Sequence, residues 1–110
     1  MPRDASVRNE EVLARLTRFA RTADELRFVA ERLADSGDHE RALRTANRAI
    51  AVDPGYFGGR AALAYVHFAA GRLDDAISEQ QRALALVPHG IQTSGLVAQL
   101  TKYRAARNTK

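Results

Sequence analysis

The feature that most constrains this chain is an internal period of 34 residues. Gly37, Ala42, Arg48, Ala49, Ala51 and Pro54 recur in register and without a gap as Gly71, Ala76, Arg82, Ala83, Ala85 and Pro88. Ala30 and Ala64 extend the match upstream, and conservative pairs fill the intervals: Glu40 with Asp74, Leu43 with Ile77, Ile50 with Leu84, Val52 with Leu86. Self-similarity at a fixed spacing of this size is the mark of a repeat architecture.

Within each copy the apolar residues fall at three- and four-residue spacing, which is helical. In the first copy Thr22-Ala23-Asp24-Glu25 reads as a capping box, in which the threonine oxygen and the glutamate side chain each satisfy an orphan amide. The helix that follows is predicted over about Ala23 to Ser36, burying Leu26, Val29, Ala30 and Leu33, with Gly37 supplying the turn. A second helix is predicted from His39 to Val52 with Ala42, Leu43, Ala46, Ala49 and Ile50 facing inward, stopped by Pro54. The second copy predicts helices over Phe57 to Ala70 and Leu73 to Leu86, separated by Gly71 and ended near Pro88. Gly58 and Gly59 are expected to weaken the first turn of the third helix, by about 1 kcal/mol each relative to alanine.

The stretches G-D-H-E-R-A-L-x7-I-A-V-D-P and G-R-L-D-D-A-I-x7-L-A-L-V-P resemble the tetratricopeptide-repeat signature, over two full copies. The resemblance implies an all-α, right-handed superhelical array (an α-α solenoid) of about six helices. Residues 23–54 and 57–88 are the two repeats. Residues 6–20, amphipathic through Val12, Leu13, Leu16 and Phe19, are expected to form an amino-terminal capping helix. Residues 91–106 are expected to form a solvating helix through Leu96, Val97, Leu100 and Tyr103, leaving 107–110 as a tail. Ends of such arrays must show water a polar face, so they depart from the repeat. The family's early aromatic slot holds Leu26 and Arg60 here, and its later tyrosine slot holds Leu33 and His67.

The same resemblance implies a protein-protein interaction module, an adaptor or scaffold without a cofactor, whose first helices line a concave peptide-binding groove. Carried over to this sequence, the groove positions are Asp24, Arg27, Glu31 and Ala34, then Gly58, Ala61, Tyr65 and Phe68, with Gln92, Gln99 and Lys102 from the last helix. The lysine and asparagine of the family's carboxylate clamp are missing from both repeats, so binding of a carboxyl-terminal tail is not expected. Tyr65 and Phe68, three apart beside Ala61 and edged by Arg27 and Glu31, suggest instead a patch suited to a partner's apolar helical segment. Two repeats give little groove area, so a homo-oligomer or a larger neighbour is a further expectation.

Of the 110 residues, 45% are hydrophobic and 27% charged, which fits a folded domain, and the scarcity of β-branched residues favours helix over strand. With no cysteine, thiol catalysis, disulfides and thiolate metal sites are excluded. His39, His67 and His89 share no helix face at ligand spacing, and no serine lies in a nucleophile elbow, so no metal site or catalytic set is expected. Gly55-Tyr56-Phe57-Gly58-Gly59 opens a helix, but no strand precedes it and no Gly-Lys-Ser/Thr follows, so it reads as a turn rather than a phosphate cradle.

No apolar run reaches about 18 residues, and charges stand where a signal peptide would be apolar, so a cytoplasmic location is the default expectation. The net charge of +4 resides mainly in the tail: Met1 to Glu79 carry 12 basic and 13 acidic residues, Gln80 to Lys110 five basic and none acidic. The alternative function is nucleic-acid or anionic-surface binding through Arg41, Arg44, Arg48 and this tail. Nearby Asp38 and Glu40, and the lack of interleaved aromatics, weigh against nucleic acid as a partner.

Overall fold

The structure, a computed structural model, describes residues 21–109. Those residues form five α-helices: α1 (Ala23–Asp35), α2 (His39–Val52), α3 (Phe57–Ala69), α4 (Leu73–Leu86) and α5 (Ser94–Asn108). The capping helix expected over residues 6–20 lies outside the described residues, so five of the six expected helices are in view.

The helix ends show why the sequence repeats as it does. Thr22 Oγ1 accepts from the Glu25 amide at 3.1 Å while Glu25 Oε1 accepts from the Thr22 amide at 3.2 Å, the reciprocal pair expected of the capping box. At the other end of α1, Gly37 N–H donates to Ala34 O and Asp38 N–H to Leu33 O, both at 3.0 Å. One period later Gly71 N–H donates to Phe68 O at 3.0 Å and Arg72 N–H to His67 O at 2.9 Å. These are two copies of the Schellman motif, which needs a residue in the left-handed region. Gly37 at φ 87° and Gly71 at φ 80° provide it. Pro54 and Pro88 end α2 and α4 by holding Asp53 and Val87 in non-helical conformations.

Within each pair the helices pack against each other, and α3 also packs on both α1 and α2, which joins the two repeats. The main core is made of Leu26, Val29, Ala30, Leu33 and Ala34 from α1, Ala42, Ala46 and Ala49 from α2, and Ala62, Leu63 and Val66 from α3. Alanines dominate α2 because small side chains let the backbones approach. A second cluster of Ala64, Ala76, Ile77, Leu100 and Tyr103, with Phe68 and Leu84 against it, docks α5.

The packing gives Gly58 and Gly59 a role that helix propensity does not show. Both are buried and helical. A β-carbon on Gly59 would lie 3.2 Å from Ile50 Cγ1 and 3.4 Å from the Ile50 backbone nitrogen, so α3 sits against α2 with room for little more than a methyl at this position. Gly59→Leu is expected to destabilise the domain by about 1–3 kcal/mol through overpacking, measured by urea denaturation. Gly59→Ala should be nearly neutral, because the gain in helix propensity opposes the tight methyl.

The residues in the family's aromatic slots differ between copies for a visible reason. Leu26 is fully buried, whereas its equivalent Arg60 sends Nη1 to Glu79 Oε2 at 3.1 Å, and Glu79 Oε1 also accepts from Arg82 at 3.1 Å. Glu79 occupies the position that Thr45 holds in the first copy, so the leucine/threonine pair of one repeat is exchanged for an ion pair in the next.

His67, in the slot of Leu33, is half-buried and accepts from Arg72 Nε at 3.0 Å on Nδ1. Burial first, and then the Arg72 guanidinium, hold its pKa below the ordinary 6.5. A base with a depressed folded pKa lets the unfolded chain take up the proton first, so stability falls as pH drops through about 6.5 toward the folded value. His67→Gln is expected to flatten that part of the pH-stability curve, read as the difference from the wild type in denaturation midpoints.

Two features of α5 depart from expectation. It begins at Ser94 rather than 91 and runs to Asn108, because Gly90 at φ 86° and a turn closed by Ile91 N–H on Pro88 O occupy the intervening chain. Val97, expected on the buried stripe, is 47% exposed. Leu100 and Tyr103 face α4, and among the described residues no further helix pair covers the other side of α5.

Candidate functional site

A groove of about 390 Å³ opens between α1, α3 and α5. Arg27, Glu31 and Arg32 of α1 form one wall. Tyr56 and Phe57, with Gly58, Ala61 and Tyr65 of α3, form the middle. Gln80 of α4 and Leu96, Gln99 and Tyr103 of α5 complete it.

The α1 wall is held by a chain of paired charges. Arg27 Nε donates to Asp24 Oδ1 at 3.1 Å and Nη1 to Glu31 Oε2 at 3.0 Å, while Arg32 pairs with Asp35 at 2.7 Å. Two later tyrosines reach across to the same carboxylates: the hydroxyl of Tyr56, in the turn before α3, donates to Asp24 Oδ1 at 2.6 Å, and that of Tyr65 in α3 donates to Asp35 Oδ1. Two hydrogen bonds thus tie the repeats together along the rim. The Tyr56 bond, then Arg27, lower the pKa of Asp24. Partial burial raises that of Glu31 against the opposing pull of Arg27. Tyr103, buried beneath the groove, is pushed up to about 12, chiefly by desolvation, and so keeps its proton.

Six of the eleven positions expected to face a partner are brought together in this groove: Arg27, Glu31, Gly58, Ala61, Tyr65 and Gln99. Ala34 is not. It is 4% exposed and belongs to the core, because it sits on the face of α1 turned toward α2 and α3. Phe68 is also outside the groove, stacked on Tyr103 with ring centroids 4.7 Å apart and planes at 29°, with Lys102 Nζ 5.2 Å from its ring centre. It anchors α5 instead. Gly58 lines the groove as expected, Asp24 supports its edge, and Gln92 is engaged with Ser94 at 3.1 Å outside it.

Sequence reasoning missed Arg32, Tyr56, Phe57, Gln80, Leu96 and Tyr103 as groove residues. Tyr56 and Phe57 lie in and just after a turn, where helical periodicity gives no direction. Gln80 stands one period after Ala46, a core position, and that substitution of a long amide for a methyl was a signal in the sequence.

Some of the basic residues of the alternative surface are paired, while Arg41, Arg44 and Arg48 do line one shallow surface of α2 together. Arg41 pairs with the α2 N-cap Asp38 at 3.0 Å and Arg44 with Glu40 at 2.9 Å, and Arg107 near the carboxyl end donates to Asp74 at 3.1 Å. Among the described residues no three His, Cys, Asp or Glu side chains are grouped to hold a metal ion, and no helix is long and apolar enough to cross a membrane.

Stacked helical hairpins with matching Schellman turns, enclosing a groove lined by the first helix of each pair, define a helical-repeat scaffold. Residues 33–100 match the tetratricopeptide repeat family, and the chain belongs to that family. No curated protein and no solved structure matches the chain. Tetratricopeptide repeats generally mediate protein-protein interaction, and the family is typically a non-catalytic scaffold.

Proposed function

We propose that this chain is a non-catalytic binding module that holds a segment of a partner protein in the α1–α3–α5 groove, without a cofactor. The observation that supports this reading is the cavity of about 390 Å³ in which Arg27, Glu31, Ala61, Tyr65 and Gln99, from three helices, share one surface. Tyr56 and Tyr65 bridge across its rim to Asp24 and Asp35, contacts that favour the groove's shape without a partner. Preorganisation of this kind lowers the ordering cost of association.

Ala61 is the residue through which to test the groove, because its methyl faces the cavity and a larger side chain would fill it. Partners retained by the wild-type chain on affinity capture are expected to bind Ala61→Phe at least tenfold more weakly. If a folded Ala61→Phe variant retained every partner with wild-type affinity, the groove would not be the binding surface.

A further inference from the structure

Arg41, Arg44 and Arg48 share one shallow surface of α2 with Thr45, Asn47 and Ala51, and none of these residues lines the groove. At the helical turn the three arginines fall within roughly 60° of arc, and the rise spreads them over about 10 Å. The second repeat shows that the fold does not require this stripe. One period on, the same positions of α4 hold Asp75, Ser78 and Arg82. Both helices have 14 residues and occupy the same place in their hairpins, so the backbone forms equally well without three cations in a row.

The arginine that the repeats do share is treated differently in each. Arg82 pairs with Glu79 at 3.1 Å, one turn earlier on α4. The equivalent of Glu79 in α2 is Thr45, which is 2% exposed and donates its hydroxyl to the Arg41 carbonyl at 2.8 Å. Among the described residues no carboxylate pairs with Arg48. Arg44 is paired with Glu40, but the two side chains are 62% and 86% exposed, and a pair so open to water contributes little. A carboxylate from another molecule can therefore join or displace Glu40 at small loss. Arg41 is held in place by Asp38, whose Oδ2 accepts from Nε at 3.0 Å.

The stripe calls for an anion, and its setting calls for a short one. Met1 to Glu79 carry 12 basic and 13 acidic residues, so a long polyanion running past the stripe meets no excess of positive charge. Nor are aromatic rings interleaved with the arginines for bases to stack on. Guanidinium forks match carboxylates geometrically. Between them, Thr45, Ala51 and the arginine stems leave a neutral strip along which the methylenes of a glutamate can lie. We infer that this face of α2 is a second interaction surface, separate from the groove, which docks a short acidic segment of a partner protein with its carboxylates on Arg41, Arg44 and Arg48.

The probe is a rhodamine-labelled peptide of eight glutamates with both ends blocked, titrated with the full chain and followed by fluorescence anisotropy. Saturable binding that weakens with added salt is expected. Arg48→Glu, which breaks no ion pair among the described residues, should weaken it about five- to tenfold, and Arg48→Lys should recover most of that loss. Arg104→Glu on α5 changes the net charge equally but away from the stripe, and should leave the affinity nearly unchanged. Ala61→Phe in the groove should do the same. Thermal melts by circular dichroism establish that each variant is folded. No saturable binding, an unchanged affinity in Arg48→Glu, or an equal loss in Arg104→Glu or Ala61→Phe would each overturn the α2 site. Tighter binding of an oligothymidylate with eight phosphates, or of phosphatidylserine vesicles, would overturn the assignment to an acidic protein segment.

Discussion

Tyr103→Ala is expected to cost about 3–5 kcal/mol, the range for removing a large buried aromatic, and to release α5 from the array. Tyr103 is 2% exposed, stacks on Phe68, and with Leu100 makes up the buried face of α5. Because a solenoid transmits stability between neighbours rather than through one centre, the loss should be uneven. Amide exchange in α5 should approach that of an unfolded segment while α1 and α2 keep their protection. Loss of α5 would also remove Leu96, Gln99 and Tyr103 from the groove and expose Gln80, so partner binding should fail at temperatures where the first repeat is still folded. Uniform destabilisation of all five helices would contradict this account.

Leu33→Ala is expected to destabilise the first repeat by about 2–5 kcal/mol, lowering the thermal midpoint by roughly 10 °C or more. Leu33 is 1% exposed in the main core, and its carbonyl also accepts the Asp38 amide that closes the α1–α2 turn. The site is flanked by Ala30, Ala34, Ala42 and Ala46, residues already too small to close over a cavity. The equivalent position in the second repeat is His67, half-buried and bonded to Arg72, so the corresponding His67→Ala change should cost far less. Comparison of the two variants by chemical denaturation measures how far the repeats have diverged beneath a shared backbone.

The repeat period, the turns and most of the core were legible in the sequence. Glycine at 37 and 71 and proline at 54 and 88 are local instructions, each enforced by backbone sterics, and α2 and α4 span the predicted residues. The alanine and leucine stripes named the buried faces because helical spacing alone decides which side chains share a side. Arg27, Glu31, Ala61, Tyr65 and Gln99 could be placed in one groove for the same reason, once the family resemblance said which face was concave.

Contacts between elements were not legible. Gly58 and Gly59 read as weak helix formers until Tyr56 and Ile50 were seen against them. Ala34 and Phe68 lay on plausible surface positions until α2 and α5 covered them, and Val97 matched a buried residue one period earlier but is left exposed, since among the described residues no further helix lies against it. By itself the sequence determined a pair of helical hairpins, since short-range sterics and periodicity act within each repeat. Only the tertiary structure decided which of their side chains meet. The carboxylates Asp24 and Asp35 receive tyrosines from about 30 residues away, and the Gln80 amide bridges to the Leu96 carbonyl of α5, because those relations depend on how one element is set upon the next.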